Sequence, residues 1–247
     1  MLSSQAMLLF FVRLVLMNIQ QFQFAIDERV GRYNLLAHPF YQAWNAGKLS
    51  RVQLRAYASE YFHHVAAYPT FLSALHCRLG DGALRRAVLR NLAEEEVEGR
   101  AHSDMWLDFA QGVGLSRERV QRSQPSKPIY RLIQRFHLSA CQDSPVEVLA
   151  ALYAYESQVP RLSGERACAL LRHYGADAHT CGYFALHTYS DVRHSQVWLD
   201  QLFRLVSGDG SLLEPALNSA TRAAHWLWQA LDGSAAHGLC EEALSWA

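Results

Sequence analysis

His187-Thr-Tyr-Ser-Asp191-Val-Arg-His194 places two imidazoles and a carboxylate at i, i+4 and i+7, the spacing that lines side chains along one stripe of an α-helix. A second stretch, Glu95-Glu-Val-Glu-Gly-Arg-Ala-His102, holds a carboxylate and an imidazole seven residues apart, which on a helix differ by only about 20° in direction. A third places Glu156 at the end of the apolar run Val146 to Tyr155, where a carboxylate is costly to bury unless it is paired or bound to metal. Two facing helical stripes and one buried glutamate make a cage for metal ions. The ligand set is then Glu95, His102, Glu156, His187, Asp191 and His194. Three imidazoles and three carboxylates offset two divalent cations to within one charge, and mixed N/O donors suit iron or manganese better than calcium or thiolate-bound zinc. Each stretch also fits a plainer reading. Glu94 to Glu98 reads as a solvated helix face, His187 to His194 as an exposed network with Arg193, and Glu156 as the partner of Arg161 or Arg166. Glu98, four residues before His102, competes with Glu95 for the same face.

Outward from these stretches the whole chain reads as helix. Apolar residues recur at helical spacing, boundaries fall at Gly, Pro and Ser/Asp clusters, and no period-2 strand or internal repeat appears. Helices are predicted over 19–34, 39–45, 51–79 with Pro69 as a kink, 81–111 capped by Asp81, and 127–141. Ser144-Pro-Val-Glu147 has the form of a capping box that opens a helix towards Tyr174, bent near Pro160. Asp177 caps the next, to about Val206, and a last helix covers Leu212 to Leu231. The fold class is all-α, a bundle of seven or eight helices in a single domain: residues 1–17 as an extension, 18–232 as the domain, 233–247 as a tail.

Composition narrows the function. Half of the 247 residues are hydrophobic and 19% are charged, so the chain can bury a large core. Twenty-three basic residues balance twenty-three acidic ones, which removes the electrostatic footprint of a nucleic-acid binder or of a protein held on anionic membrane. Small molecules are the expected partners, and a homodimer is an open arrangement. Five scattered cysteines without a CxxC pair argue against a disulfide framework or a structural zinc site, and a reducing cytoplasm is the expected location. The apolar run Met7 to Met17 is interrupted by Arg13 and lacks a cleavage site after it, so Met17 reads as the biological start in preference to a signal peptide. His63 and His64, on an aromatic helix, read as packing or pocket lining.

As a set, Glu-x6-His, a lone Glu and His-x3-Asp-x2-His resembles the haem-oxygenase-like di-metal oxidases and oxygenases. More narrowly, His38-Pro-Phe-Tyr-Gln-Ala-Trp44, Leu54-Arg-Ala-Tyr-Ala58, the stretch Tyr68 to His76, the stretch Ala151 to Arg161 and Asp191-Val-Arg-His194 resemble the family of the chlamydial protein associating with death domains and its bacterial relatives. The resemblance covers about Asn18 to Val206. It implies the seven-helix haem-oxygenase-like bundle without haem, selects Glu95 over Glu98, and implies p-aminobenzoate formation for folate. Two iron ions, or one manganese and one iron, would serve as cofactors, with O₂ as co-substrate and an external reductant. The implied chemistry excises the ring of one of the protein's own tyrosines, here Tyr41 with Tyr57 as the alternative, in a single turnover. Tyr57, Tyr61 and Tyr155 would relay or receive an electron. One position departs from the family: the lysine proposed there as amino donor is Arg166, which stays charged and cannot give up nitrogen in the same way. Competing expectations are a multiple-turnover di-iron oxidase on a diffusible molecule, a cofactor-free oxidase like the one closing pyrroloquinoline quinone or the type II thiaminases, and an interaction protein for death domains.

Overall fold

The computed structural model describes residues 17–244. The helices are α1 (Ile19–Gly31), α2 (Pro39–Asn45), α3 (Arg51–Arg78), α4 (Ala83–Glu96), α5 (His102–Gly112), α6 (Arg117–Arg122), α7 (Lys127–Gln142), α8 (Pro145–Glu156), α9 (Val159–His173), α10 (Gly182–Gly208) and α11 (Leu213–Leu244), with single 3₁₀ turns at Leu35–Ala37 and Gly210–Leu212. The eight predicted segments are all present. Two of them divide in two, and α6, capped by Ser116, was not expected.

The order of packing follows from α8. Every residue from Val148 to Glu156 is buried, as an all-round apolar helix requires, and α8 lies between α11 and α10. Helix α3 packs against α7, α4, α11 and α5, while α9 lies along α10. Ser144 and Glu147 form the predicted capping box, and Ser50 and Gln53 form another at the start of α3. Pro69 sits inside α3 without ending it. The boundary residues of the Met7 to Met17 reading lie, apart from Met17, outside the described residues.

The corrections have local causes. The helix predicted over 81–111 breaks after Glu96: the amides of Val97 and Glu98 both bond to the carbonyl of Ala93, and Gly99 turns the chain at φ 85° before α5 begins at His102. A positive φ of that size favours glycine. Gly82, not Asp81, occupies the position before α4. The helix predicted from 144 to 174 stops at Glu156, and Pro160 belongs to the first turn of α9, where its missing N–H costs nothing. Asp177 caps a turn by accepting from the amide and hydroxyl of Thr180, and α10 starts five residues later. The first helix ends at Gly31 because Asn34 caps the 3₁₀ turn instead. The last continues to Leu244, through the segment expected to be a tail.

Candidate metal centre

Four helices deliver the six predicted ligands to one buried place. Glu95 comes from the last turn of α4, His102 is the first residue of α5, Glu156 is the last residue of α8, and His187, Asp191 and His194 share one stripe of α10. All six are buried, whereas Glu98 is exposed in the turn after α4. Glu95 and His102 therefore meet by a route other than the predicted one. They do not look out from one straight helix; the turn at Gly99 folds them together.

Nδ1 of His102 lies 2.8 Å from Oε2 of Glu95. The two are not oriented as a hydrogen bond, and Nδ1 has no other partner. His187 joins them: its ring stands edge-on to His102 at 4.6 Å, and one ligand atom from each of Glu95, His102 and His187 lies within 4.8 Å of the other two. Nδ1 of His187 donates to the carbonyl of Tyr183 at 2.7 Å, which leaves Nε2 with a free lone pair, the arrangement that orients a metal-binding imidazole. Burial lowers the pKa of His187 and keeps the ring neutral.

The other three residues already have protein partners. Glu156 accepts from the hydroxyl of Tyr68, the indole of Trp198 and, at 3.3 Å, the amide of Asn91. Burial pushes its pKa up to about 8, with Asp191 and Glu95 adding to the rise and His194 opposing it. Asp191 accepts from Ser190 at 3.1 Å. His194 contacts Glu94 through Nε2 at 2.7 Å, while its Nδ1 stands 3.5 Å from Asp191 and is unpartnered. Burial would lower the pKa of His194; Asp191, Glu156 and Glu94 overcome it and raise it to about 10. Between the two sets is a space of about 10 Å³, walled by Val65, Tyr68, Tyr155 and Tyr183, room for about one water-sized species.

These residues fit a pair of cations. Three carboxylates crowded together in the interior repel one another, and buried imidazole nitrogens that face carboxylate oxygens without a hydrogen bond are unusual unless something cationic is meant to lie between them. The donor set is N/O without thiolate, which suits iron or manganese. Sequence reasoning missed the residues around the ligands: Glu94, Tyr68, Trp198 and Asn91. Trp198 was legible as the next position of the stripe His187, Asp191, His194; the rest come from other helices.

Tyr41 and Tyr57 lie away from the ligands in an aromatic cage. Both are buried, with hydroxyls 2.9 Å apart. His38 caps α2 by accepting from the amide of Phe40, and its Nε2 contacts Asp232 at 3.0 Å, which fixes the turn that carries Tyr41 inward. Tyr57 contacts Trp106 with ring centres 5.7 Å apart, Trp106 contacts Tyr183 at 4.9 Å, and Tyr183 stacks on His187 at 4.0 Å. An unbroken chain of rings thus joins Tyr41 to a predicted ligand. Tyr61 stacks on Tyr57, and His64 lies between Tyr61 and Tyr155. His63 bonds to Ser123 at 2.9 Å on the opposite side.

The described residues include no helix long and apolar enough to cross a membrane. Residues 55–228 match the family described as iron-containing redox enzymes. The chain is 32% identical to a 4-aminobenzoate synthase of Chlamydia pneumoniae over 83% of this chain and 91% of that one. It is 34% identical to a 4-aminobenzoate synthase of Nitrosomonas europaea over 90% and 95%. Its fold superposes with a TM-score of 0.77 on a domain of unknown function with a haem-oxygenase-like fold from Shewanella denitrificans, covering 92% and 96% of the two chains at 16% identity. Family match, relatives and fold agree, and the chain belongs to the iron-containing redox enzymes of haem-oxygenase-like fold.

Proposed function

We propose that this enzyme forms 4-aminobenzoate in an O₂-dependent oxidation and that Tyr41 supplies the ring. Glu95, His102, Glu156, His187, Asp191 and His194 would hold two metal ions, both iron or one manganese and one iron. When bound, the metal pair supplies the oxidising chemistry with O₂ and an external reductant. The observation that carries the reading is space. The interior around the ligands offers about 10 Å³, against the several hundred that an organic ligand occupies, and the room on the inner side is filled by the protein's own aromatic rings.

Tyrosine has the right skeleton. Its ring bears an oxygen and, para to it, one carbon that corresponds to the carboxyl carbon of 4-aminobenzoate. Release requires cleavage of the Cα–Cβ bond, oxidation of Cβ and replacement of the phenol oxygen by nitrogen. The chain's own residues hold the ring for this. Trp44, Phe40 and Tyr57 pack around Tyr41 and exclude water, Tyr57 holds its hydroxyl, and the rings of Tyr57, Trp106 and Tyr183 offer an electron a path towards His187. Lys48 and Lys127, the two lysines of the chain, are both exposed, and Arg166 keeps its nitrogen, so the amino group comes from a soluble donor. The cytoplasm is the fitting location, and a small-molecule or protein reductant the fitting partner.

One observation favours a second reading. A groove of about 420 Å³ lies on the outer side of His102, lined by Glu94, Glu98, Arg100, Leu186 and Arg193, where a diffusible substrate of a multiple-turnover oxidase would sit. Reconstitution with Fe(II), reductant, O₂ and an ammonium salt tests both. The expected result is less than one equivalent of 4-aminobenzoate per chain and a peptide altered at Tyr41; unchanged yield from Tyr41→Phe would overturn the role of that tyrosine.

A further inference from the structure

Arg166 lies on α9 and is 6% exposed. A buried guanidinium is ordinarily held by a carboxylate, but among the described residues none pairs with it, and its Nε has no hydrogen-bond partner. Its neighbours are rings instead. The guanidinium carbon stands 4.0 Å from the centre of the Tyr41 ring and 5.9 Å from those of Tyr57, Trp44 and Phe184. A cation over a ring face is attracted by the ring quadrupole. That attraction is smaller than the cost of desolvating an unpaired charge. The cation is therefore under-compensated with every neighbouring tyrosine neutral, and negative charge on the nearest one would compensate it.

We infer that Arg166 is a positioning residue that singles out Tyr41, among the phenols of the aromatic core, as the one able to ionise. Neutral phenols surround it: Tyr57 and Tyr61 from α3, Tyr155 from α8 and Tyr183 from α10, all buried. No acid faces the Tyr41 ring among the described residues, and Arg166 from α9 is the one cation against it. Burial raises the pKa of Tyr41, and Arg166 is the foremost influence that opposes the rise. Tyr57 lies 2.9 Å away, placed to donate its hydroxyl to a Tyr41 phenolate whose own proton leaves to the solvent buffer. Distance supports the preference: a charge acts in proportion to 1/r, and Arg166 is nearer the ring centre of Tyr41, over which part of a phenolate's charge is spread, than that of Tyr57, 4.0 Å against 5.9 Å. This deepens the proposal that Tyr41 is the reacting ring, because a phenolate is more readily oxidised than a phenol, and it gives the position of the family lysine a different task here.

The test places 3,5-difluorotyrosine at position 41 or at position 57 of the full chain and follows ionisation by ¹⁹F NMR, with Fe(II) and without, in the absence of O₂. In the otherwise unchanged protein the probe at 41 should ionise at least tenfold more readily than the probe at 57. Arg166→Met should abolish that difference, and Arg166→Lys should restore part of it. Replacing an unpaired buried charge with an apolar chain of similar length is often neutral or stabilising, and the comparison of the two probes needs no Arg166 variant at all. Equal ionisation at 41 and 57, or an unchanged probe at 41 in Arg166→Met, would overturn the inference. Neither readout requires product. Should Tyr41→Phe still form 4-aminobenzoate, the reacting-ring proposal falls while the ionisation result stands.

Discussion

Glu95, His102 and His187 face Glu156, Asp191 and His194 across a few ångströms, yet the two sets are held in opposite ways. In the first, His102 and Glu95 touch without a hydrogen bond, and the tie among the described residues is from His187 to a backbone carbonyl on the side away from the site. In the second, Tyr68, Trp198 and Asn91 all donate to Glu156, and His194 leans on Glu94. The first set is arranged for a cation and for little else. In the second, Glu156 already has protein donors, and a metal there would have to share it with them. The difference predicts stepwise loading, with the set containing His102 filling first and more tightly.

The largest expected effect breaks the first set. His102→Ala removes a nitrogen that nothing else in the interior replaces, and since loss of mere supporting residues weakens metal binding about 10–100-fold, a loss of at least about 100-fold in affinity for the tighter ion is expected. Metal analysis and 4-aminobenzoate yield should fall together. Two tightly bound ions in this variant would erase the distinction between the sets.

The second set breaks differently. Tyr68→Phe takes one donor from a buried carboxyl that is largely protonated at neutral pH without metal, costing about 0.5–1.5 kcal/mol, or a few degrees in the melting temperature of a chain this size. The loss should be smaller in metal-loaded protein, where a cation compensates Glu156. An equal loss in both states would mean that Glu156 serves packing and not metal.

Acidity separates the sets by sign. The folded-state pKa of Glu156 is raised to about 8 from 4.5, so its contribution to metal-free stability is whole below pH 4.5 and is lost as pH rises through about 8. His194, raised to about 10 from 6.5, loses its contribution in the same direction at higher pH. His64 works the other way. Burial holds its pKa near 3, so its contribution is whole above pH 6.5 and is lost as pH falls towards 3. Between pH 5 and 6.5 the loss from Glu156 and the gain from His64 offset each other, so metal-free protein should melt progressively lower from about pH 6.5 to 9. Metal loading, which requires Glu156 ionised, should flatten that decline. The melting temperature measured across pH with and without Fe(II) checks it.

His64 also shows what an unpartnered imidazole means when no ligand surrounds it. Both its nitrogens are buried without partners, as Nδ1 of His102 is, but its neighbours are Tyr61, Phe71, Phe136 and Tyr155, with no carboxylate among them. His64→Leu should raise stability by about 1–2 kcal/mol, since an apolar group relieves unsatisfied polar atoms, and should remove part of the acid-side loss while leaving metal content unchanged. Loss of metal on this substitution would make His64 part of the centre.

Sequence carried the site further than it carried the helix boundaries. The stripe His187, Asp191, His194 was legible because one unbroken helix holds it, and Glu156 because the eight apolar residues from Val148 to Tyr155 left a carboxylate nowhere polar to go. Glu95 and His102 were legible by count alone: seven residues bring them together, but through a glycine turn and not two helical turns. Glu94, Tyr68 and Asn91 were hidden, because their roles arise where α4 and α3 pack on α8 and α10, which no local spacing records. The cage around Arg166 was hidden for the same reason, with α2, α3 and α10 each supplying a ring.

The smallest effect tests that glycine turn. A Cβ at Gly99 would meet no atom within 4 Å, so the only obstacle to Gly99→Ala is the backbone at φ 85°, a conformation costing an alanine roughly 1–2 kcal/mol. Stability should fall by about that amount. If the turn is what holds Glu95 against His102, affinity for the tighter ion should fall several-fold as well while the second ion is unaffected, so the substitution separates the two sets without touching a ligand. A stability loss with both ions bound as before would mean that α4 and α5 are positioned by their packing on α3, and that the turn merely accommodates it.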